Sequence, residues 1–124
     1  MSLFYIVDEP TEEGDGDLAL LLADGELDYA AAPQLKERIA AHLNASHRHV
    51  VLDLTAVSFI DSTAIGVIVG ALHRLRESGD GSLAIVCERE NKRVLRIFDI
   101  AGLNSLLDIY DTREEALSAL AATG

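Results

Sequence analysis

Apolar positions along this chain come in short strand-like runs separated by stretches with helical spacing. Leu3 to Val7 and Leu18 to Leu22 are aliphatic runs of strand length, and between them Glu9 to Asp17 gathers acids and two glycines around Pro10, which is turn chemistry. The two runs are expected to pair as a hairpin whose loop, Glu12 to Asp17, is unusually acidic. Ala23-Asp24-Gly25-Glu26-Leu27-Asp28 then leads into a helix. Pro33 suits its first helical position, and Leu35, Ile39 and Leu43 recur every four residues. His49 to Leu54 is almost continuously apolar, the pattern of a strand covered on both faces.

Ser62 to Glu77 reads as a second helix, ended by Ser78-Gly79-Asp80-Gly81. Leu83 to Cys87 is another buried strand, and Asn91 to Ile100 a short helix with Val94, Leu95 and Phe98 inward, closed by Gly102. Leu106 to Ile109 adds an edge strand. Thr112-Arg113-Glu114-Glu115 fits a capping box and opens a last helix through Leu120. Strands alternating with helices after a hairpin predict an α/β domain with a mixed four- to five-stranded sheet and about four helices. The length of 124 residues, without repeat or linker, predicts a single domain over 1–124.

Hydrophobic residues make up 49% of the chain and Trp is absent, so the core is aliphatic. Ten basic residues against 21 acidic ones give a net charge of -11, which excludes a nucleic-acid partner because a phosphate backbone repels such a surface. The longest apolar run, Ala64 to Leu72, is far shorter than the roughly 20 residues of a membrane span. No secretory signal is visible, so a cytoplasmic protein without membrane association is expected. Cys87 lies in an apolar run and reads as a small buried hydrophobe.

Catalytic and cofactor chemistry find no support. His42, His47 and His49 fall around one helix-to-strand loop without acids or cysteine at ligand spacing, and the acidic loop lacks the spacing of a calcium site. No metal, no cofactor and no catalytic residue are therefore assigned. Ser62 is not in a Gly-x-Ser-x-Gly elbow, and His73 lies about three turns along the same helix, beyond reach of its hydroxyl. No Gly-x-Gly-x-x-Gly or phosphate-binding loop appears, and the chain reads as a non-enzyme.

Phe59-Ile60-Asp61-Ser62-Thr63-Ala64-Ile65-Gly66 carries the most information. A buried strand runs into a turn that offers Asp61, Ser62 and Thr63 as N-caps to the next helix. In that helix Ile65, Ile68, Val69 and Leu72 form a core-facing stripe, while Thr63, Gly66, Gly70 and Arg74 line the opposite face with Val67 and Ala71 beside them. Each interior glycine costs about 1 kcal/mol relative to alanine, so something approaches that face closely: the sheet, a neighbouring helix or another protein.

Four segments together resemble a known family. Gly25-Glu26-Leu27-Asp28, Val50-Val51-Leu52-Asp53-Leu54, Ile60-Asp61-Ser62-Thr63-Ala64-Ile65-Gly66 and Arg96-Ile97-Phe98-Asp99-Ile100-Ala101-Gly102-Leu103 are similar, in order, to the STAS domain of anti-sigma factor antagonists. The resemblance implies partner switching in bacterial transcription and stress regulation. An anti-sigma factor that is itself a GHKL-type serine kinase phosphorylates the serine after the aspartate, here Ser62. The unphosphorylated antagonist binds that factor and frees the sigma factor; a PP2C-type phosphatase resets the phosphorylated form. Asp28, Asp61, Thr63, Gly66, Val67 and Gly70 are the partner-binding residues on this reading. Many members have glycine where this chain has Ala64, and that methyl is expected at the docking edge.

Two other readings compete. A non-switching STAS interaction or scaffold module keeps the fold without using the serine. A phosphoaspartate receiver domain has similar alternation, with Asp53 after apolar strand residues as its acceptor. Asp8-Glu9 is a poor substitute for the receiver's acidic pair, and Lys92 lies past a charged run rather than at a strand end.

Overall fold

The elements follow in the order β1 (Phe4–Glu9), β2 (Leu18–Leu27), α1 (Ala32–Asn44), β3 (His49–Ile60), α2 (Ser62–Glu77), β4 (Ser82–Val86), α3 (Lys92–Ile100), β5 (Asp108–Tyr110) and α4 (Arg113–Thr123). The computed structural model describes residues 4–9, 18–45, 48–79 and 81–123. Leu3, the acidic connection Glu12 to Asp17 and His47 lie outside the described residues. The strands form one sheet whose spatial order is the chain order, β1-β2-β3-β4-β5. β1 is antiparallel to β2, and every later pair is parallel. The expected mixed α/β sheet is the one that forms.

Alternation along the central strand sorts the core into two layers. Val50, Leu52 and Leu54 of β3 join a cluster with Leu35 and Ile39 of α1, Ile65, Ile68 and Leu72 of α2, and Val94 and Phe98 of α3. Val51 on the other side joins Leu20, Ala84 and Val86 beneath Ala116 of α4, with Leu117 and Leu120 packed alongside. Three helices therefore cover one face of the sheet and α4 the other.

Several boundaries depart from the sequence expectation. β2 continues to Leu27 instead of ending at Leu22, and Ala23 to Asp28 is mostly strand rather than a lead into the helix. Asp24 and Gly25 interrupt the apolar pattern, yet Ala23 and Leu27 are completely buried. Burying Leu27 is worth about 1.5–3 kcal/mol, more than the roughly 0.5–1 kcal/mol that a glycine costs a strand. Gly25 takes a φ of 97° and absorbs the register shifts at that point, a conformation glycine adopts without a Cβ clash. β3 likewise runs past Leu54 to Ile60, because the longer β2 gives it a partner as far as Leu27↔Ile60.

Helix α1 starts at Ala32, so Pro33 is its second residue. Leu95 is only half-buried, as is Val69 of the expected core stripe. Strand β5 starts two positions later than expected, at Asp108. Thr112 caps α4 as the sequence suggests, its hydroxyl oxygen accepting from the Glu115 N–H at 3.1 Å.

The same alternation places Asp53, 3% exposed, on the α4 side of the sheet. Its carboxylate accepts from the Thr55 N–H at 2.8 Å and pairs with the Arg113 guanidinium at the start of α4. The acceptor a receiver domain would need is thus inside a strand, buried and paired. A buried carboxylate deprived of its cation is costly, whereas the Arg113 side chain is 34% exposed and can turn to water. Arg113→Leu is therefore expected to lose about 3 kcal/mol of unfolding free energy in urea titrations, with Asp53→Asn losing less. The double change Asp53→Leu with Arg113→Leu should recover most of the loss, since an apolar pair there strands no charge.

Candidate functional site

The parallel pairing of β2 and β3 brings their C-terminal ends side by side. At that edge the Asp61 N–H donates to the Leu27 carbonyl at 3.1 Å, tying together the two connections that follow. Asp61 has extended backbone (φ -108°, ψ 178°), and its side chain accepts from the Ala64 N–H at 3.0 Å. Of the three candidate N-caps, Asp61 is the one used. A carboxylate here also faces the positive end of the helix dipole.

Ser62 is consequently the first helical residue and has no capping duty. It is exposed, and among the described residues its hydroxyl has no hydrogen bond. Thr63 beside it is exposed too.

Asp28 organises the neighbouring connection. Its carboxylate accepts from the Ala30 and Ala31 N–H groups at 3.0 and 3.3 Å, and its carbonyl accepts from Ala31 and Ala32 at 3.0 Å. This turn takes over at the start of α1, where Ala31 has no capping side chain. The same turn lifts Tyr29 out of the protein, 74% exposed. Sequence reasoning missed Tyr29, because one aromatic in a turn breaks no periodicity. Its signal was its position directly after the Asp28 that folds the turn.

Helix α2 divides as its sequence predicts except at Val69, which is half-buried, and at Ala71, which is buried instead of lying beside the outer face. Ile65, Ile68, Leu72 and Leu75 point inward, and Thr63, Gly66, Gly70 and Arg74 outward, with Val67 between. A Cβ built on Gly66 or Gly70 meets nothing within 4 Å. Packing against the protein's own elements therefore does not explain these glycines. Ala64 is a correction: its methyl is completely buried rather than at the outer edge. Ala71, also buried, forms part of the floor of a groove of about 400 Å³ between α1 and α2. Ile39 and Leu43 line one wall, and Thr63, Gly66, Val67 and Gly70 the other.

Two of the histidines have partners. His42 Nε2 lies 2.7 Å from an Asp8 carboxylate oxygen, with Arg38 at 3.6 Å from the other. His49 Nδ1 is 2.7 Å from the Ser82 hydroxyl. No group of three potential metal ligands occurs among the described residues. Cys87 is buried, and its thiol pKa is pushed up to about 11, chiefly by burial, with Glu88, Asp53 and Asp111 adding negative charge nearby. No helix among the described residues is long and apolar enough to cross a membrane.

Comparison with known proteins identifies the family and the fold. The family model of the STAS domain matches residues 9–116. The chain is 33% identical over 104 residues to an anti-sigma-B factor antagonist of Listeria monocytogenes, covering 84% of this chain and 89% of that one. It is 36% identical over 100 residues to the anti-sigma-B factor antagonist of Bacillus subtilis, covering 79% and 85% respectively. An anti-sigma factor antagonist from Mycobacterium paratuberculosis has the same fold, with a TM-score of 0.82 at 23% identity over 94% of this chain and 93% of that one.

Two measurements check the local geometry. Gly70→Ala is expected to raise stability by about 1 kcal/mol in chemical denaturation, since it fills open space on a helix. Gly81→Ala should lower it in the same assay, because its Cβ would sit 2.8 Å from Leu75 Cδ2 and 2.9 Å from the Leu75 carbonyl oxygen. A thiol with its pKa near 11 stays protonated at pH 8, so iodoacetamide should modify folded Cys87 far more slowly than the urea-unfolded chain.

Proposed function

This chain belongs to the STAS domain family, and on that footing we propose that it acts as an anti-sigma factor antagonist switched by phosphorylation of Ser62. The domain is taken to span 1–124. The unphosphorylated protein binds an anti-sigma factor that is also a GHKL-type serine kinase, and so releases a sigma factor. The kinase moves the γ-phosphoryl group of ATP onto the Ser62 oxygen as the hydroxyl loses its proton, leaving ADP; ATP and its magnesium belong to the kinase. A PP2C-type phosphatase hydrolyses the phosphoester and restores the binding form. This protein is then a substrate and a ligand, not an enzyme.

The observation that supports this best is the division of labour at the start of α2. Asp61 caps the helix, so Ser62 presents an exposed hydroxyl whose modification removes no structural bond. A phosphate there brings about -1.5 to -2 charge. The helix N-terminus tolerates it, while a docked partner meets it next to Asp61 on a chain already at -11. Binding is lost without unfolding.

The docking surface on this reading comprises Thr63, Gly66, Val67 and Gly70 along α2. Asp61 and Asp28 hold its two connections in shape, and Tyr29 adds an exposed aromatic anchor of the kind that concentrates binding energy at interfaces.

Incubation with the cognate kinase and ATP, followed by site-mapping mass spectrometry, should place the phosphate on Ser62; modification of Thr63 alone would overturn the assignment. Ser62→Ala should remain folded and bind the kinase whether or not ATP is present. Ser62→Asp should weaken binding by about tenfold or more in calorimetry, like charge at an interface being worth that much. Gly70→Leu should impair binding without lowering the thermal midpoint.

A further inference from the structure

The groove between α1 and α2 has a charge pattern opposite to that of the protein around it. Its charged lining residues are Lys36 at one wall and Arg74 at the other, and among the described residues no acid lines it. The chain as a whole carries 21 acidic residues against 10 basic ones, so an all-cationic rim is a local inversion of its composition. Arg74 is also held in place, its Nη2 donating to Asn44 Oδ1 at the end of α1. Between the two cations the lining is apolar, with Ile39 and Leu43 on one wall, Val67 on the other and Ala71 on the floor. The α2 wall is low, because the positions where side chains would rise carry Gly66 and Gly70, with open space above them.

We infer that the occupant of this groove is an amphipathic helix of the partner that lays aliphatic side chains on the floor and directs carboxylates to Lys36 and Arg74. The inference rests on the docking face proposed above and names the partner's chemistry there. A trough between two packed helices receives a third helix by its apolar stripe. The lowered wall lets that helix come close, and the two cations at opposite walls select acidic over basic flanks. The direction of the switch follows from the same chemistry. Thr63 lines the groove and Ser62 precedes it, so a phosphate on Ser62 adds negative charge at the mouth of a site that receives carboxylates.

The test uses the full chain, isotopically labelled for NMR, and two stapled helical peptides of about 15 residues, a length at which an isolated helix begins to hold. Both carry the same Leu and Ile stripe; one has Glu on its flanks and its twin has Lys at those positions. The Glu peptide is expected to shift the amides of Lys36, Ala40, Val67, Gly70 and Arg74, and to bind about tenfold more tightly than its twin. Lys36→Glu combined with Arg74→Glu, both at exposed positions, should reverse that preference while keeping a dispersed spectrum. Equal binding of the two peptides, a preference that survives the charge reversal, or shifts clustered away from α1 and α2 would overturn the proposal. So would groove shifts that grow with concentration of the chain alone, which would make a second copy the occupant. Phosphorylation of Ser62 is read in a separate assay. A groove indifferent to charge leaves the switch standing, and an unmodified Ser62 leaves the peptide preference standing.

Discussion

The site depends on how far β2 and β3 stay together. Their parallel pairing runs to Leu27 and Ile60, and the Asp61 N–H then closes onto the Leu27 carbonyl. That bond sets the end of one connection against the start of the other. If the strands parted at Leu22 and Leu54, where the apolar pattern falters, the Asp28 turn and the Asp61 cap would have no common edge. The bulged glycine at position 25 allows the ladder to continue. A small backbone irregularity two residues before Leu27 thus helps decide where Ser62 is presented.

The two faces of the sheet serve different ends. Beneath α1, α2 and α3 the buried core is aliphatic apart from Phe98 and Cys87, and it holds α2 rigidly enough for its outer side to be a defined surface. On the opposite face one charge is buried, and α4 is attached by its neutralisation as well as by Ala116 and its neighbours. Among the described residues, apolar packing near the candidate docking face leaves no buried charged group whose pairing a bound partner would disturb. The ion pair is confined to the far side, where a broken contact would loosen a helix that the site does not use.

Much of this was readable from residue pattern alone. The α/β alternation, the Thr112 cap, the inward stripe of α2 and the burial of Cys87 follow from periodicity and local chemistry, which need no long-range information. What was missed depends on partners distant in sequence. The extension of β2 through Asp24 and Gly25 is dictated by pairing with β3, and a local pattern contains no trace of that. Ala64 was expected at an edge because it stands where many family members have glycine, yet a helix turns about 100° per residue and Asp61's cap sets where the first turn points. Choosing Asp61 over Ser62 as the cap likewise required seeing Asp61 in extended backbone. Tyr29 became visible through its exposure on the Asp28 turn, and the cationic rim of Lys36 and Arg74 through three-dimensional proximity, since it joins residues on two different helices.

The sheet order has a consequence for how the molecule is made. Each strand pairs with the one synthesised before it, so a chain emerging from the ribosome can add strands to an existing edge without waiting for a distant segment. Asp53 has to wait longest for its partner among the ion pairs described: it is incorporated in the central strand, but its counter-ion Arg113 arrives only with α4. Until then the growing sheet carries an unneutralised carboxylate on a face without its covering helix. The arrival of α4 is therefore the event that neutralises and covers that carboxylate.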